Sequence, residues 1–357
     1  MAGGFGRYIA MRVLNSVIVI IAVLMITLIL FGPMVDEQLR KQIMDEIKKQ
    51  VIRGGGKFGQ YKSAEEVQKV IQEKYELRIK SLGLDKPWYY RIWGDLARTL
   101  KLDLGRSWFL KSDSGSRKVV DIIVERIPRT VVLFGTSTIL ILVLQLLLGA
   151  RAAAKPGTLF DRMIVVAGLL GYAFATWWVG MVLLYLFAYL IPIFPTGGMT
   201  SVPPPSDPLG YAFDVMWHLT LPVLAILLVA LGGGAYVTRN LMIGIMTEDY
   251  ILTSRAKGVP ERRIIYYHAL KMAAPPILTG VTLAIAGIFS GGLLTEIVFN
   301  WPGMGLLYWD ALNALDIPVI MGNVYFTTVL IVLANLVADI LYGVVDPRVR
   351  LGAGVRR

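Results

Sequence analysis

An all-α, multi-pass membrane protein with six transmembrane helices is the fold class this chain predicts, on three observations. Hydrophobic residues make up 55% of its 357 positions, mean hydropathy is +0.61, and six uncharged stretches each suffice to cross a bilayer. A soluble domain of this size does not carry so much apolar sequence. At about 1.5 Å per residue, roughly 20 helical residues cover the ~30 Å hydrocarbon core. The stretches are Val13–Val35, Thr130–Ala150, Met163–Phe194, Val215–Thr238, Met272–Thr295 and Ile317–Ala338. Backbone groups stay paired in lipid only if these runs are helices.

The first run follows Arg7 and Arg12. It is too long for a secretory signal, and no small-residue cleavage site follows it, so a retained helix is expected. The third run exceeds one span, so its end at Ile191-Pro192-Ile193-Phe194-Pro195 is expected at the interface. Fifteen basic residues fall in the N-terminus, the 151–162 and 239–271 loops and the tail, while 207–214 and 296–316 carry none. The positive-inside rule then puts both termini and residues 239–271 in the cytoplasm of a cell-membrane protein. Alternation puts 36–126 outside. The expected domains are an N-terminal span (1–35), an extracytoplasmic insert (36–126), a five-helix core (127–346) and a cytoplasmic tail (347–357).

Within the insert, Ser63-Ala64-Glu65-Glu66 has the form of a capping box. Val67, Val70, Ile71, Tyr75, Ile79 and Leu82 then recur at helical spacing, and Gly83 stops the helix. Asp36–Ile52 reads as another amphipathic helix, and Gly54-Gly55-Gly56 as a flexible joint. Trp88, Tyr89, Tyr90 and Trp93 read as an interfacial belt or a local core.

Composition excludes several chemistries. There is no cysteine, hence no disulfide and no thiolate metal site. The two histidines, His218 and His268, lie fifty residues apart and neither has a His/Asp/Glu cluster nearby, so no metal is expected. The net charge of +11 does not indicate nucleic acid. Within 36–129, 21 basic residues are mixed with 14 acidic ones, the pattern of a solvated surface. No stretch reads GxxxxGK[ST], so the chain is expected to bind no nucleotide and not to be an enzyme.

The most informative segment is 239–276, a charged island between two apolar runs. It reads as two short helices around Gly258-Val259-Pro260, since glycine permits the turn and proline opens the next helix. A membrane chain keeps such a segment on one side where something soluble docks.

The run Asp249-Tyr250-Ile251-Leu252-Thr253-Ser254-Arg255-Ala256-Lys257-Gly258, with Glu261-Arg262-Arg263 and His268-Ala269-Leu270, resembles the EAA loop of binding-protein-dependent ABC importer permeases. The dipeptide/oligopeptide subfamily is most similar. Leu252 and Ser254 stand where that subfamily usually has arginine and alanine, and Ser254 is still small. The likeness continues in Leu82-Gly83-Leu84-Asp85-Lys86-Pro87, Asp103-Leu104-Gly105-Arg106-Ser107, Trp301-Pro302-Gly303-Met304-Gly305 and Asp346-Pro347-Arg348. It covers nearly the whole chain except about 36–80.

The resemblance implies a type I ABC importer permease fold. It also implies a heterodimer with a homologous second permease, two separate ATPase subunits that bind ATP and Mg, and an extracytoplasmic substrate-binding protein. The chain would form half of a pathway for peptides, with oligosaccharides or nickel as other cargoes of similar permeases. Asp249, Tyr250, Ser254, Arg255, Ala256, Lys257, Gly258, Glu261 and Arg262 are the implied ATPase-coupling residues. Ser290, Thr295 and Asn335 are the expected pathway groups, and Glu296, Trp301, Pro302 and Gly303 the expected external gate. Gly287, Gly291 and Gly292 offer close helix packing. Two rival readings are an ion-coupled carrier and a sensor or scaffold. The first is disfavoured because no span carries an ionisable residue at its centre.

Overall fold

A computed structural model of the chain describes residues 2–53, 64–81, 84–85, 87–289 and 291–345. Ser63, Gly54-Gly55-Gly56, Leu82-Gly83, Ser290 and the Asp346-Pro347-Arg348 motif lie outside the described residues. Among the described residues five helices are long and apolar enough to cross a membrane, and a bent pair makes a sixth.

The first helix, α1, runs unbroken over Ala2–Arg53, with Pro33 inside it. The expected separate helix over Asp36–Ile52 is therefore the second half of α1. The change from apolar to charged sequence at Val35-Asp36 marks a change of solvent, which a helix crosses without breaking because its backbone bonds are internal. Helices α2 (Ala64–Ser81) and α3 (Trp88–Leu100) follow. Then come α4 (Val119–Ala154), α5 (Leu159–Ala173) and α6 (Thr176–Leu184), the last continuing as a π-helical turn over Tyr185–Leu190.

The third apolar run is thus two helices, bent by 97° at Phe174-Ala175, whose backbones are extended. The cause is the next helix, α7 (Pro208–Met246). Ile164 of α5 buries beside Ala235 of α7, whereas Leu183 of α6 buries beside Leu221 and Ala225. One straight helix does not reach both. Contact of α5 with α7 is backbone on backbone: a Cβ on Gly171 would sit 2.2 Å from the Val229 carbonyl oxygen. A Cβ on Gly287, by contrast, would meet nothing within 4 Å, whereas one on Gly292 would lie 2.7 Å from the Phe134 ring and one on Gly291 3.5 Å from Glu296 and Thr130, so of the three glycines expected to pack closely Gly287 is the exception.

Beyond α7 lie α8 (Asp249–Ala256) and the short α9 (Glu261–Arg263), which passes through a π-helical turn (Ile264–Ala269) into α10 (Leu270–Ile288). The last described helices are α11 (Leu293–Val298), α12 (Met304–Asn313) and α13 (Ile317–Val345). Prolines 128, 222, 275 and 276 all sit inside helices, as apolar spans tolerate when neighbours re-satisfy the freed carbonyls.

Two compact units divide the chain. The smaller comprises Ile18–Ile122 with Ala311–Phe326, and the larger takes the rest. In the smaller unit, Leu39, Ile43, Ile47 and Val51 recur every four residues on α1 and pack against Ile71, Tyr75 and Ile79 of α2. That spacing gives each helix one apolar stripe. Buried Asp316 organises its other end. Its Oδ2 accepts from the Ser107 hydroxyl at 2.5 Å and from the Phe109 and Leu110 N–H groups at 2.9 and 3.1 Å; its Oδ1 accepts from the Trp108 N–H at 3.2 Å. Tyr89, Tyr90 and Trp93 are exposed rather than a local core.

Candidate functional site

The coupling candidate is smaller than the charged island suggested. Helix α7 continues to Met246 and α9 already opens the next span, leaving an elbow over 247–263. Its first arm, α8, has Asp249 in the first turn, where the helix dipole favours a carboxylate. Its end is a Schellman cap. Gly258 has φ +75°, the Val259 N–H donates to the Ser254 carbonyl at 3.2 Å, and the Gly258 N–H donates to that of Arg255 at 2.9 Å. Pro260 then opens α9, its carbonyl accepting from the Arg263 and Ile264 N–H groups at 2.8 and 3.1 Å. A Cβ on Gly258 meets no neighbour, so glycine is required there by backbone conformation alone.

One side chain pins the elbow. Ile251 is fully buried among Ala150, Met242, Met246, Ile264 and Ala273, and it is the buried residue of α8. The ends of α4 and α7 and the start of α10 therefore pack with the elbow as one body. Arg255 and Glu261 close the joint across Gly258, with contacts of 2.7 and 3.2 Å. Arg255 is thus engaged within the chain rather than left wholly for a partner. Tyr250, Lys257 and Arg262 are exposed, with Ala256, while Ser254 is half-buried and its hydroxyl donates to the Tyr250 carbonyl at 2.9 Å. Next to them, Tyr267 lies 6.0 Å from the Arg263 guanidinium and 5.8 Å from the Lys271 ammonium. The outward face is cationic and aromatic.

A buried clamp sets the approach of α7 to this elbow. The Arg239 guanidinium donates to both oxygens of Asp161, at 2.6 and 2.9 Å, and Asp161 also accepts from the Gly157 N–H at 2.8 Å. Sequence reasoning passed over this pair because its members are 78 positions apart. The available signal was Asp161 itself, the one acid in a loop with Arg151, Lys155 and Arg162.

The expected external-gate residues converge on a second constellation. Glu296 is fully buried and does not lie at a solvated helix end. Its Oε1 accepts from the Thr130 hydroxyl at 2.9 Å, and its Oε2 from the Gly305 and Leu306 N–H groups at 2.7 and 3.0 Å. Thr130 in turn accepts from the Met304 N–H at 2.8 Å. Trp301 is also fully buried. Its indole N–H donates to the Arg129 carbonyl at 2.9 Å. The Pro302 carbonyl accepts from Arg126 at 3.3 Å. A Cβ on Gly303 would lie 2.5 Å from both Glu296 oxygens, which explains glycine there. Burial raises the Glu296 carboxyl to about 6, against the lowering pull of its Leu306, Thr130 and Gly305 donors and of Arg126.

The pathway candidates are not gathered. Thr295 is buried on α11, Asn335 is exposed on α13, and Ser290 lies outside the described residues. Among the described residues, no group of three His, Asp or Glu side chains is placed to hold a metal ion.

The family model described as "Binding-protein-dependent transport system inner membrane component" matches residues 145–351. The oligopeptide transport system permease protein AppB of Bacillus subtilis is 34% identical over 281 residues, covering 79% of this chain and 86% of that protein. The dipeptide transport system permease protein DppB of Escherichia coli is 34% identical over 302 residues, with the same coverage of each chain. The inner membrane ABC transporter permease protein YejB of E. coli is 32% identical over 271 residues, covering 75% of this chain and 73% of that protein.

Proposed function

Because this chain belongs to the family of inner-membrane components of binding-protein-dependent transport systems, we propose that its 247–263 elbow is where an ATPase drives a peptide importer. The chain is a multi-pass permease subunit of an ABC importer, a transport component rather than an enzyme. Peptides are the cargo, as the names of the relatives state for those proteins. Two ATPase subunits, holding ATP and Mg, and an extracytoplasmic binding protein complete the machine, with a homologous second permease as the other half of the pathway. Both termini and the elbow face the cytoplasm, and residues 36–126 lie outside.

The observation that carries the coupling role is Ile251. A partner gripping Asp249, Tyr250, Ser254, Ala256, Lys257 and Arg262 pushes through that buried side chain on the ends of three long helices. Arg255, Glu261 and Gly258 keep the joint stiff enough to transmit the push. At the other end, Glu296, Trp301, Pro302 and Gly303 act as the gate by latching the α11–α12 turn to the start of the α4 span. Ser290, Thr295 and Asn335 line the route between. The bundle is then a two-state element biased by a docked partner.

The absence of cysteine makes the test direct. Leu252, exposed on α8, is changed to Cys, and the complex is treated with a short thiol–amine crosslinker. The expected product joins this chain to an ATPase subunit, and the cysteine is labelled from the cytoplasmic side alone. Labelling from outside, or crosslinks only to the binding protein, overturns the assignment.

A further inference from the structure

We propose that a cavity in the smaller unit is a binding site for a phospholipid whose headgroup carries a primary ammonium. The cavity has a volume of about 340 Å³, within the range of small-molecule sites (about 300–1,000 Å³). All its walls come from that unit: α1, Leu84 ahead of α3, α3 itself, the turn after α3 and the first turns of α13.

The walls change character along one axis. On α1 the lining runs from Leu24 through Leu28 and Val35 to Asp36, twelve residues or about 18 Å of helix. Leu24 to Val35 belong to the first apolar span, and Asp36 opens the charged half of the same helix. The cavity therefore passes from hydrocarbon depth to headgroup level, and its occupant needs an apolar body with a polar end.

The polar end specifies more. Arg91 pairs with Asp36, yet its Nε–H is buried with no acceptor. A buried unmade donor costs about 1–3 kcal/mol, and a phosphate oxygen is a fitting partner for a guanidinium. Arg98 pairs with Asp95, both on the rim. Among the lining residues that leaves Asp103, at the mouth, as a third acid against two arginines, with Lys101, Arg106 and Lys118 beside it in the adjoining basin. A purely anionic headgroup meets its carboxylate there. A zwitterion places its phosphate on Arg91 and its ammonium on Asp103, and a primary ammonium can donate hydrogen bonds where a quaternary one cannot.

The test uses the full chain, purified in detergent and equilibrated with equal amounts of phosphatidylethanolamine, phosphatidylcholine and phosphatidylglycerol. Native mass spectrometry reads which lipid stays bound as detergent is raised. Phosphatidylethanolamine should be kept about three- to fivefold over the other two, the size of one half-exposed ion pair. Asp103 is exposed, so Asp103→Asn should keep the fold and erase that preference. Leu28→Trp should fill the apolar end and lower retention of all three lipids. Phosphoethanolamine, the headgroup without tails, should compete at least tenfold more weakly than the intact lipid. Equal retention of the three lipids, preference for phosphatidylglycerol, an unchanged preference in Asp103→Asn, or full displacement by phosphoethanolamine each overturns the proposal. If Leu28→Trp does not fold, the Asp103→Asn result decides alone.

Discussion

The elbow at 247–263 and the knot around Glu296 hold short helices by opposite means. The elbow is fixed by one apolar plug, Ile251, and by a half-exposed ion pair, so its polar face stays open to a partner. The knot saturates its polar groups internally: Glu296, Thr130 and three backbone N–H groups satisfy one another out of water. A surface proposed for a partner keeps its charges outside, and the knot buries them. Burying a charge makes the knot costly to disturb, whereas loss of the plug leaves the elbow folded but loose.

Variants separate the two. Glu296→Ala strands the Gly305 and Leu306 N–H groups and the Thr130 hydroxyl, and should cost about 3–5 kcal/mol. Thermal unfolding in detergent should show the loss, and a near-wild-type midpoint would deny the latch. Ile251→Ala opens a cavity under α8 and should cost about 2–4 kcal/mol. In the assembled transporter it should cut transport more than basal ATP hydrolysis; equal losses in both would mean that the plug transmits no force.

Acidity bears on the knot through one carboxyl. The folded Glu296 carboxyl is raised from 4.5 to about 6, so the fold favours its neutral form. Its contribution is complete below about pH 4.5 and fades as pH rises through 6, a change of about 2 kcal/mol. Glu296→Gln should flatten that part of the stability profile, and an identical slope in the variant refutes the assignment. Gly258→Val forces a β-branched residue into φ +75°, at about 1–2 kcal/mol. Insertion should survive while cargo-stimulated ATPase activity is lost. Asn at 258, which tolerates that backbone, should restore it. Smallest of all, Arg255→Gln removes a half-exposed ion pair worth at most about 1 kcal/mol, measured as a slight fall in coupling that 0.5 M salt reproduces in the unaltered protein.

Much of the fold was legible because lipid imposes a simple rule: a long uncharged run must be a helix. The elbow was legible too, since Gly258 and Pro260 punctuate a charged island. Other features escaped local reading. Asp36–Ile52 reads as its own helix because composition changes there, yet backbone bonding continues past Pro33. The break at Phe174-Ala175 carries no glycine or proline, and only packing of Ile164 and Leu183 on different parts of α7 calls for it. The Arg239–Asp161 clamp, and the gathering of Glu296, Trp301 and Gly303 into a buried knot, join residues that periodicity cannot pair.

What the amino-acid order determined by itself is the solvent of each segment, because hydropathy and charge act residue by residue. The membrane spans, the helical insert and the polar elbow all follow from that. What the tertiary structure decided is which polar groups lose water and to whom they bond. That choice depends on backbones brought close by distant parts of the chain, and it made Ile251 a plug and Glu296 a latch.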